Sequence, residues 1–136
     1  MLAQSEVLTT LTGAKYVSLT TFRKSGEAVA TPMWFAASSG TIYVETGRNA
    51  GKIKRIHHTS QVTLAPCTIN GTVTGASIDG RARILTEAQE IATAKEAMSR
   101  KYGLIRRLYY FGMVIPRILR RRPKSELVYI AIEVLN

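Results

Sequence analysis

Apolar and polar positions alternate with period two over most of the chain up to Leu85, in short runs rich in β-branched and aromatic residues. Tyr16–Phe22 predicts a first strand, and Arg23-Lys24-Ser25-Gly26 a turn in which Gly26 takes positive φ. Ala28–Ala36 predicts a second strand, broken in register at Pro32, which has no N–H to give a ladder and so marks an edge, a bulge or a ligand-facing segment. Ser38-Ser39-Gly40 turns the chain into a third strand, Thr41–Thr46. Gln61–Pro66 and Thr72–Leu85 continue the pattern, the latter bent or divided near Gly75 and Asp79-Gly80. Five or six antiparallel strands at such close spacing predict a barrel, and the lack of any fixed internal period excludes a solenoid or propeller.

The period changes in two places. Asn49 is placed to cap a short helix running to about His57, with Ile53 and Ile56 on one face by their i, i+3 spacing. Thr86 and Gln89 have capping-box spacing and open a helix through Ala94, Ala97 and Met98 to Tyr102, with Gly103 as its stop. Leu104–Arg122 reads as a further helix bent at Pro116, and Glu126–Leu135 returns to strand. The class is therefore α+β, mainly β.

Composition narrows the setting. The 136 residues, 46% hydrophobic and 21% charged, suit one domain spanning residues 1–136, with a core too small to enclose a large ligand fully. A cofactor is expected in a surface cleft or between subunits. Cys67, the single cysteine, has no partner for a disulfide, no Cys/His cluster has metal-ligand spacing, and Met1–Thr10 lacks the pattern of a signal peptide. A cytoplasmic protein without a metal site is the expectation. The longest apolar run, Leu108–Pro116, falls short of the ~20 residues that span a bilayer.

The formal charge of +10 changes the picture more, since it invites nucleic acid, an anionic membrane surface or a multiply anionic small molecule. Almost half of the 19 basic residues lie between Arg100 and Lys124, and Arg48, Lys52, Lys54 and Arg55 form a second group. In Thr46-Gly47-Arg48-Asn49-Ala50-Gly51-Lys52-Ile53-Lys54-Arg55 a strand enters a glycine-bearing turn and then a helix start. Free backbone N–H groups there favour an anion, which Lys52, Arg55 and the Thr46 hydroxyl are placed to complete. The same pattern also fits a solvated helix with basic residues on its wet face, since it has neither Walker nor Rossmann glycine spacing. Thr31-Pro32-Met33-Trp34 is a second candidate, because the break at proline leaves backbone groups for the polar edge of a heterocycle; ordinary packing explains the same residues. His57 and His58 cannot both face one metal ion, and among nine acidic residues no hydrolase constellation appears.

Taken in order, Thr20-Thr21-Phe22-Arg23-Lys24-Ser25-Gly26, Ala30-Thr31-Pro32-Met33-Trp34, Gly51-Lys52-Ile53-Lys54-Arg55 and Val62-Thr63-Leu64-Ala65-Pro66-Cys67 resemble the pyridoxamine 5'-phosphate oxidase-like, deazaflavin-dependent oxidoreductases. Lys101-Tyr102-Gly103 resembles the motif that ends that family's long helix. The resemblance implies a split β-barrel that forms a homodimer with cofactor clefts between subunits, and coenzyme F420 or, in some relatives, FMN as cofactor. By position, Thr46, Asn49, Gly51, Lys52, Lys54 and Arg55 fall on the phosphate segment, with Thr46, Lys52 and Arg55 as phosphate contacts. Thr31, Pro32, Met33 and Trp34 fall on the strand that carries the ring, and Ala65, Pro66 and Cys67 on a neighbouring strand lining the cleft. The departure from the FMN-type pattern at Ala50-Gly51, where the oxidases tend to have a hydroxyl residue, favours the deazaflavin. The implied reaction is hydride transfer between the reduced deazaflavin and an unsaturated small molecule, with no catalytic acid or base identifiable in the chain. Two rivals stand beside it: a non-catalytic flavin, deazaflavin or haem carrier of the same fold, and a membrane-surface or nucleic-acid contact through Tyr109–Ile115 with Arg117 and Arg120–Arg122.

Overall fold

The structure is a computed structural model that describes residues 9–11, 13–112 and 127–135, with backbone alone over 103–112. Seven strands and two main helices follow in the order β1 (Tyr16–Phe22), β2 (Ala28–Met33), β3 (Phe35–Ser38), β4 (Thr41–Gly47), α1 (Gly51–His58), β5 (Gln61–Cys67), β6 (Ile78–Ile84), α2 (Ala88–Gly112) and β7 (Leu127–Val134). All neighbours pair antiparallel, in the order β2-β1-β5-β6-β7-β4-β3.

This order requires the sheet to curl. β2 and β3 occupy its two opposite edges, yet a single residue, Trp34, separates them in the chain. The edges must therefore meet, and Met33 and Phe35 on either side of the junction join one interior cluster with Leu19, Val44, Leu64 and Ile132. The result is a mainly β split barrel whose alternate residues point inward. The outward set on β3, β4 and β7, including Ala36, Tyr43, Tyr129 and Ala131, is covered by Ala94, Ala97, Met98 and Tyr102 of α2. Helix α1 adds Ile56 to the interior cluster, with Ile53 packed against it, as their spacing predicts.

The turns follow local chemistry. Ser39 (φ 50°) and Gly40 (φ 81°) form the two-residue loop between β3 and β4, both in the left-handed region that a type I′ hairpin needs. Gly26 takes φ 91° after Arg23-Lys24-Ser25, and Gly26 N–H donates to Arg23 C=O at 2.8 Å.

Several expected boundaries move. The second strand ends at Met33, because the chain passes from one sheet edge to the other at Trp34. Residues 72–77 are not in the expected strand; only Val73 bridges to Cys67, and β6 begins at Ile78. Asn49 does not cap α1: the N-cap is Ala50, in extended conformation and without a side-chain hydrogen bond to the helix. Helix α2 starts at Ala88, two residues after Thr86, with Glu87 C=O accepting from Ile91 N–H at 3.0 Å. Gly103 does not stop it, and α2 continues to Gly112, so the break expected before Leu104 is absent. A glycine inside a helix costs only about 1 kcal/mol, which the packed turns before it offset. Among the described residues no helix is long and apolar enough to cross a membrane.

Candidate functional site

The first turn of α1 lacks what usually satisfies it. Ala50 offers no side-chain acceptor; Ile53 N–H donates to Ala50 C=O at 3.0 Å, and the N–H groups of Gly51 and Lys52 ahead of it lie at the positive end of the helix dipole. Two basic side chains are held around this point by threonine hydroxyls. Lys52 Nζ donates to Thr46 Oγ1 at 3.5 Å, at the end of β4, and Arg55 Nε donates to Thr21 Oγ1 at 2.6 Å, near the end of β1. Arg55 folds back over the helix start: a Cβ on Gly51 would lie 2.8 Å from its Nη1. The absence of a side chain at position 51 thus makes room for the guanidinium.

These charges are not neutralised from within. No ion pair to Lys52, Lys54 or Arg55 occurs among the described residues. Burial, and then the Arg55 charge beside it, hold the Lys52 ammonium below the ordinary lysine pKa. Next to it lies a cleft of about 370 Å³, lined by Gly51, Lys54, Arg55 and His58 from α1 and by Arg23, Lys24 and Ser25 from the β1–β2 turn. None of these lining residues is acidic.

The expected site residues separate into groups. Gly51, Lys54 and Arg55 line the cleft, and Thr46 and Lys52 pair beside it, whereas Asn49 is exposed and outside the lining. On β2, Pro32 faces outward and Met33 is 9% exposed in the interior cluster, with half-buried Thr31 facing the same inward way. Pro32 and Ala65 both oppose Ser18 of β1, so they share one outer sheet face with it, next to the Tyr16–Cys67 pair. Small side chains make the middle of that face, with Ala30 and Thr20 in the following row, and Tyr16 and Phe22 stand at its two ends. From Ser18 to the turn at Arg23 is about 17 Å along an extended strand. One hairpin therefore connects the row of Pro32, Ser18 and Ala65, in which Ser18 and Ala65 are buried, to the basic cleft. Pro66 opposes Val17 on the inward side and is covered by the chain at Gly75, and burial pushes the Cys67 thiol up in pKa.

Trp34 is 36% exposed and stacks on Tyr102, centroids 4.8 Å apart and planes at 11°. Tyr102 is itself fixed: its hydroxyl meets Phe35 C=O at 2.7 Å and Lys15 C=O at 2.9 Å and accepts from Phe35 N–H at 3.0 Å. Arg23, Lys24 and Thr21 contribute to the site although the pattern of the sequence marks them only as turn and strand. Their signal was the paired basic residues at the tip of the first hairpin, which period-two reading spends on the turn. The patch Tyr109–Ile115 with Arg117 and Arg120–Arg122 lies outside the side chains described, and no group of metal-ligating residues occurs among those that are.

A curled seven-stranded antiparallel sheet, closed at Trp34 and flanked by a basic helix start beside its first hairpin, defines a split-barrel fold. The pyridoxamine 5'-phosphate oxidase family model matches residues 3–135, and the chain belongs to that family. Solved structures of the same fold include an FAD-binding protein from Mesorhizobium loti (15% identity, 99% of this chain and 91% of that one, TM-score 0.68). They also include HutZ, the haem storage protein from Vibrio cholerae (12% identity, 100% and 92%, TM-score 0.66), and a haem-binding protein from Mycobacterium smegmatis (14%, 98% and 52%, TM-score 0.65). A search of curated proteins found no match.

Proposed function

We propose that this protein is an oxidoreductase that binds coenzyme F420, with FMN as the alternative cofactor, and acts on an unsaturated small molecule as a homodimer. The observation that carries the reading is the basic cluster at the start of α1, where Lys52 and Arg55 each meet a threonine hydroxyl, Arg55 lies over Gly51 and no side chain caps the helix. Such a cluster is complementary to a phosphate-bearing cofactor. Family membership supports a flavin-type ligand, and the lack of a hydroxyl residue at Ala50-Gly51 favours the deazaflavin over tight FMN binding.

The residues present fit such a group. Lys52, Arg55 and the N–H groups at Gly51 would hold its phosphate, and the outer face at Pro32, Ser18 and Ala65 would support its ring. When bound, the reduced deazaflavin supplies a hydride. The chain contributes orientation, exclusion of water from the ring face turned to the sheet, and neutralisation of anionic charge. Exposed Ile69 and Val73, on the segment after Cys67, supply apolar surface for a second copy. Carriers of flavin or haem on the same fold are the competing reading, favoured by the haem-binding relatives.

Fluorescence titration of the purified protein with F420 and with FMN tests the cofactor. Affinity in the micromolar range or tighter is expected, strongest for F420, and failure with both rejects the reading. Turnover of reduced cofactor with an enone separates an enzyme from a carrier.

A further inference from the structure

A second cleft, of about 310 Å³, lies between β3 and α2, lined by Ala36 and Ala37 of the strand and by Ala97, Arg100 and Lys101 of the helix. It shares no lining residue with the cleft beside α1. Its volume is within the range of small-molecule sites, and three alanines leave open the space that larger side chains would fill. At its wall Lys101 Nζ is shut off from water, the one buried side-chain nitrogen or oxygen among the described residues without a hydrogen-bond partner. Burial lowers its pKa to about 8. Lys52 is also held low, yet it has the Thr46 hydroxyl. Lys101 has only two ring faces, Phe35 at 3.3 Å and Tyr102 at 5.3 Å.

The charges nearby favour the neutral amine. β3 brings no charged side chain to the cleft, and the neighbouring charge on α2 is Arg100, which meets Glu96 at 3.9 Å only in an exposed pair that contributes little. A ring face attracts the ammonium and not the amine, so a Lys101 that loses its proton is left without a partner. An amine desolvated among apolar groups and beside a second cation is the arrangement that makes lysine a nucleophile near neutral pH. The four-carbon stem lets Nζ swing from the ring to the open side of the cleft.

We propose that Lys101 is a covalent site for small carbonyl compounds, with Arg100 at the rim selecting those that also carry a carboxylate. The neutral Nζ adds to the carbonyl carbon, the adduct loses water, and an imine joins Lys101 to the ligand. One C=O bond and two N–H bonds give way to one C=N bond and a water molecule, with no change in oxidation state and no need of a flavin or deazaflavin.

Incubation of the full chain with butanal or with 4-oxobutanoate, each with cyanoborohydride to reduce the imine to a stable secondary amine, is read by peptide mass mapping. At about pH 7.5 Lys101 should be alkylated at least about tenfold faster than Lys95, which is exposed on the same helix. That advantage should shrink as the pH rises above about 8, where Lys101 is already neutral. The rate at Lys101 should saturate with aldehyde concentration, because the ligand first occupies the cleft. 4-Oxobutanoate should react severalfold faster than butanal there, and Arg100→Ala should make the two aldehydes alike. Lys101→Met should leave the labelling of Lys95 unchanged. Labelling of Lys101 no faster than that of Lys95 overturns the covalent site, and equal rates for the two aldehydes in the parent chain overturn the role of Arg100. The site itself is read in the parent chain, so its test does not depend on a variant folding. Failure of F420 and FMN to bind would reject the cofactor reading and leave these rates standing.

Discussion

A Cβ at position 51 would stand 2.8 Å from Arg55 Nη1, a contact that only the far end of a flexible side chain can relieve. Gly51→Ala should therefore leave the fold intact, or stabilise it by up to about 1 kcal/mol as alanine replaces glycine in a helix. It should displace Arg55 from Thr21 and weaken cofactor binding severalfold. Thermal unfolding and fluorescence titration of the same variant measure the two effects separately. Lys101 presents a different case. Its Nζ is shut off from water without a hydrogen-bond partner, 3.3 Å from the centre of the Phe35 ring, and burial lowers its pKa to about 8. The ring face favours the charged form and so offsets only part of that burial. Since the folded pKa lies below the usual 10.5, the unfolded chain binds more protons between pH 8 and 10.5, and stability from this residue rises with pH across that window. Lys101→Met should raise the unfolding temperature below pH 8 and abolish that rise, checked by melting curves from pH 7 to about 10.5.

At the scale of elements, the junction between β2 and β3 is where the barrel closes, and α2 secures it through one hydroxyl. Tyr102 ties the backbone of Phe35, after the junction, to Lys15, before β1, and its ring supports Trp34. Tyr102→Phe keeps the stack but leaves the buried amide and carbonyl of Phe35 without this partner, at a cost of about 1–3 kcal/mol. Trp34 is the chain's single tryptophan, so its emission reports the junction directly. A lower denaturation midpoint with a red-shifted native emission is expected. Strand periodicity located β1, β4, β5 and β7 to within a residue or two, because each has one face against the interior cluster. It merged β2 with β3, because Trp34 continues an apolar run and nothing local records that the chain there changes edges. The Thr86–Gln89 spacing and Gly103 misplaced both ends of α2 for a related reason: packing of Ala94, Ala97 and Met98 against the sheet outweighs caps and propensity.

For the whole molecule, charge and exposed apolar surface are the quantities that govern partners. A formal charge of +10 with an acid-free cleft implies that anion binding weakens as salt rises. Ile69 and Val73 are 65% and 54% exposed on one short segment beside the small-residue face of β1, β2 and β5. If that face is shared between two copies, Ile69→Asp/Val73→Asp should convert a dimer to monomers in sedimentation and lower cofactor affinity in parallel. A monomeric parent chain would rule out the shared cleft.

The sequence alone determined the features whose physics is local. These are the alternation that makes strands, the glycines of the hairpin turns, the Ile53–Ile56 face of α1 and the concentration of basic residues at its start. The ordered motifs added the family. Tertiary structure decided which of those charges meet. Arg23 and Lys24 lie about thirty residues before Lys54 and Arg55 and become neighbours only because β1 and α1 pack together, and Thr21 becomes the acceptor for Arg55 by the same packing. It also decided that Met33 belongs to the core and Pro32 to the outer face, since a one-residue step along a strand reverses the side that a residue presents, and only the closed barrel defines which side is inside.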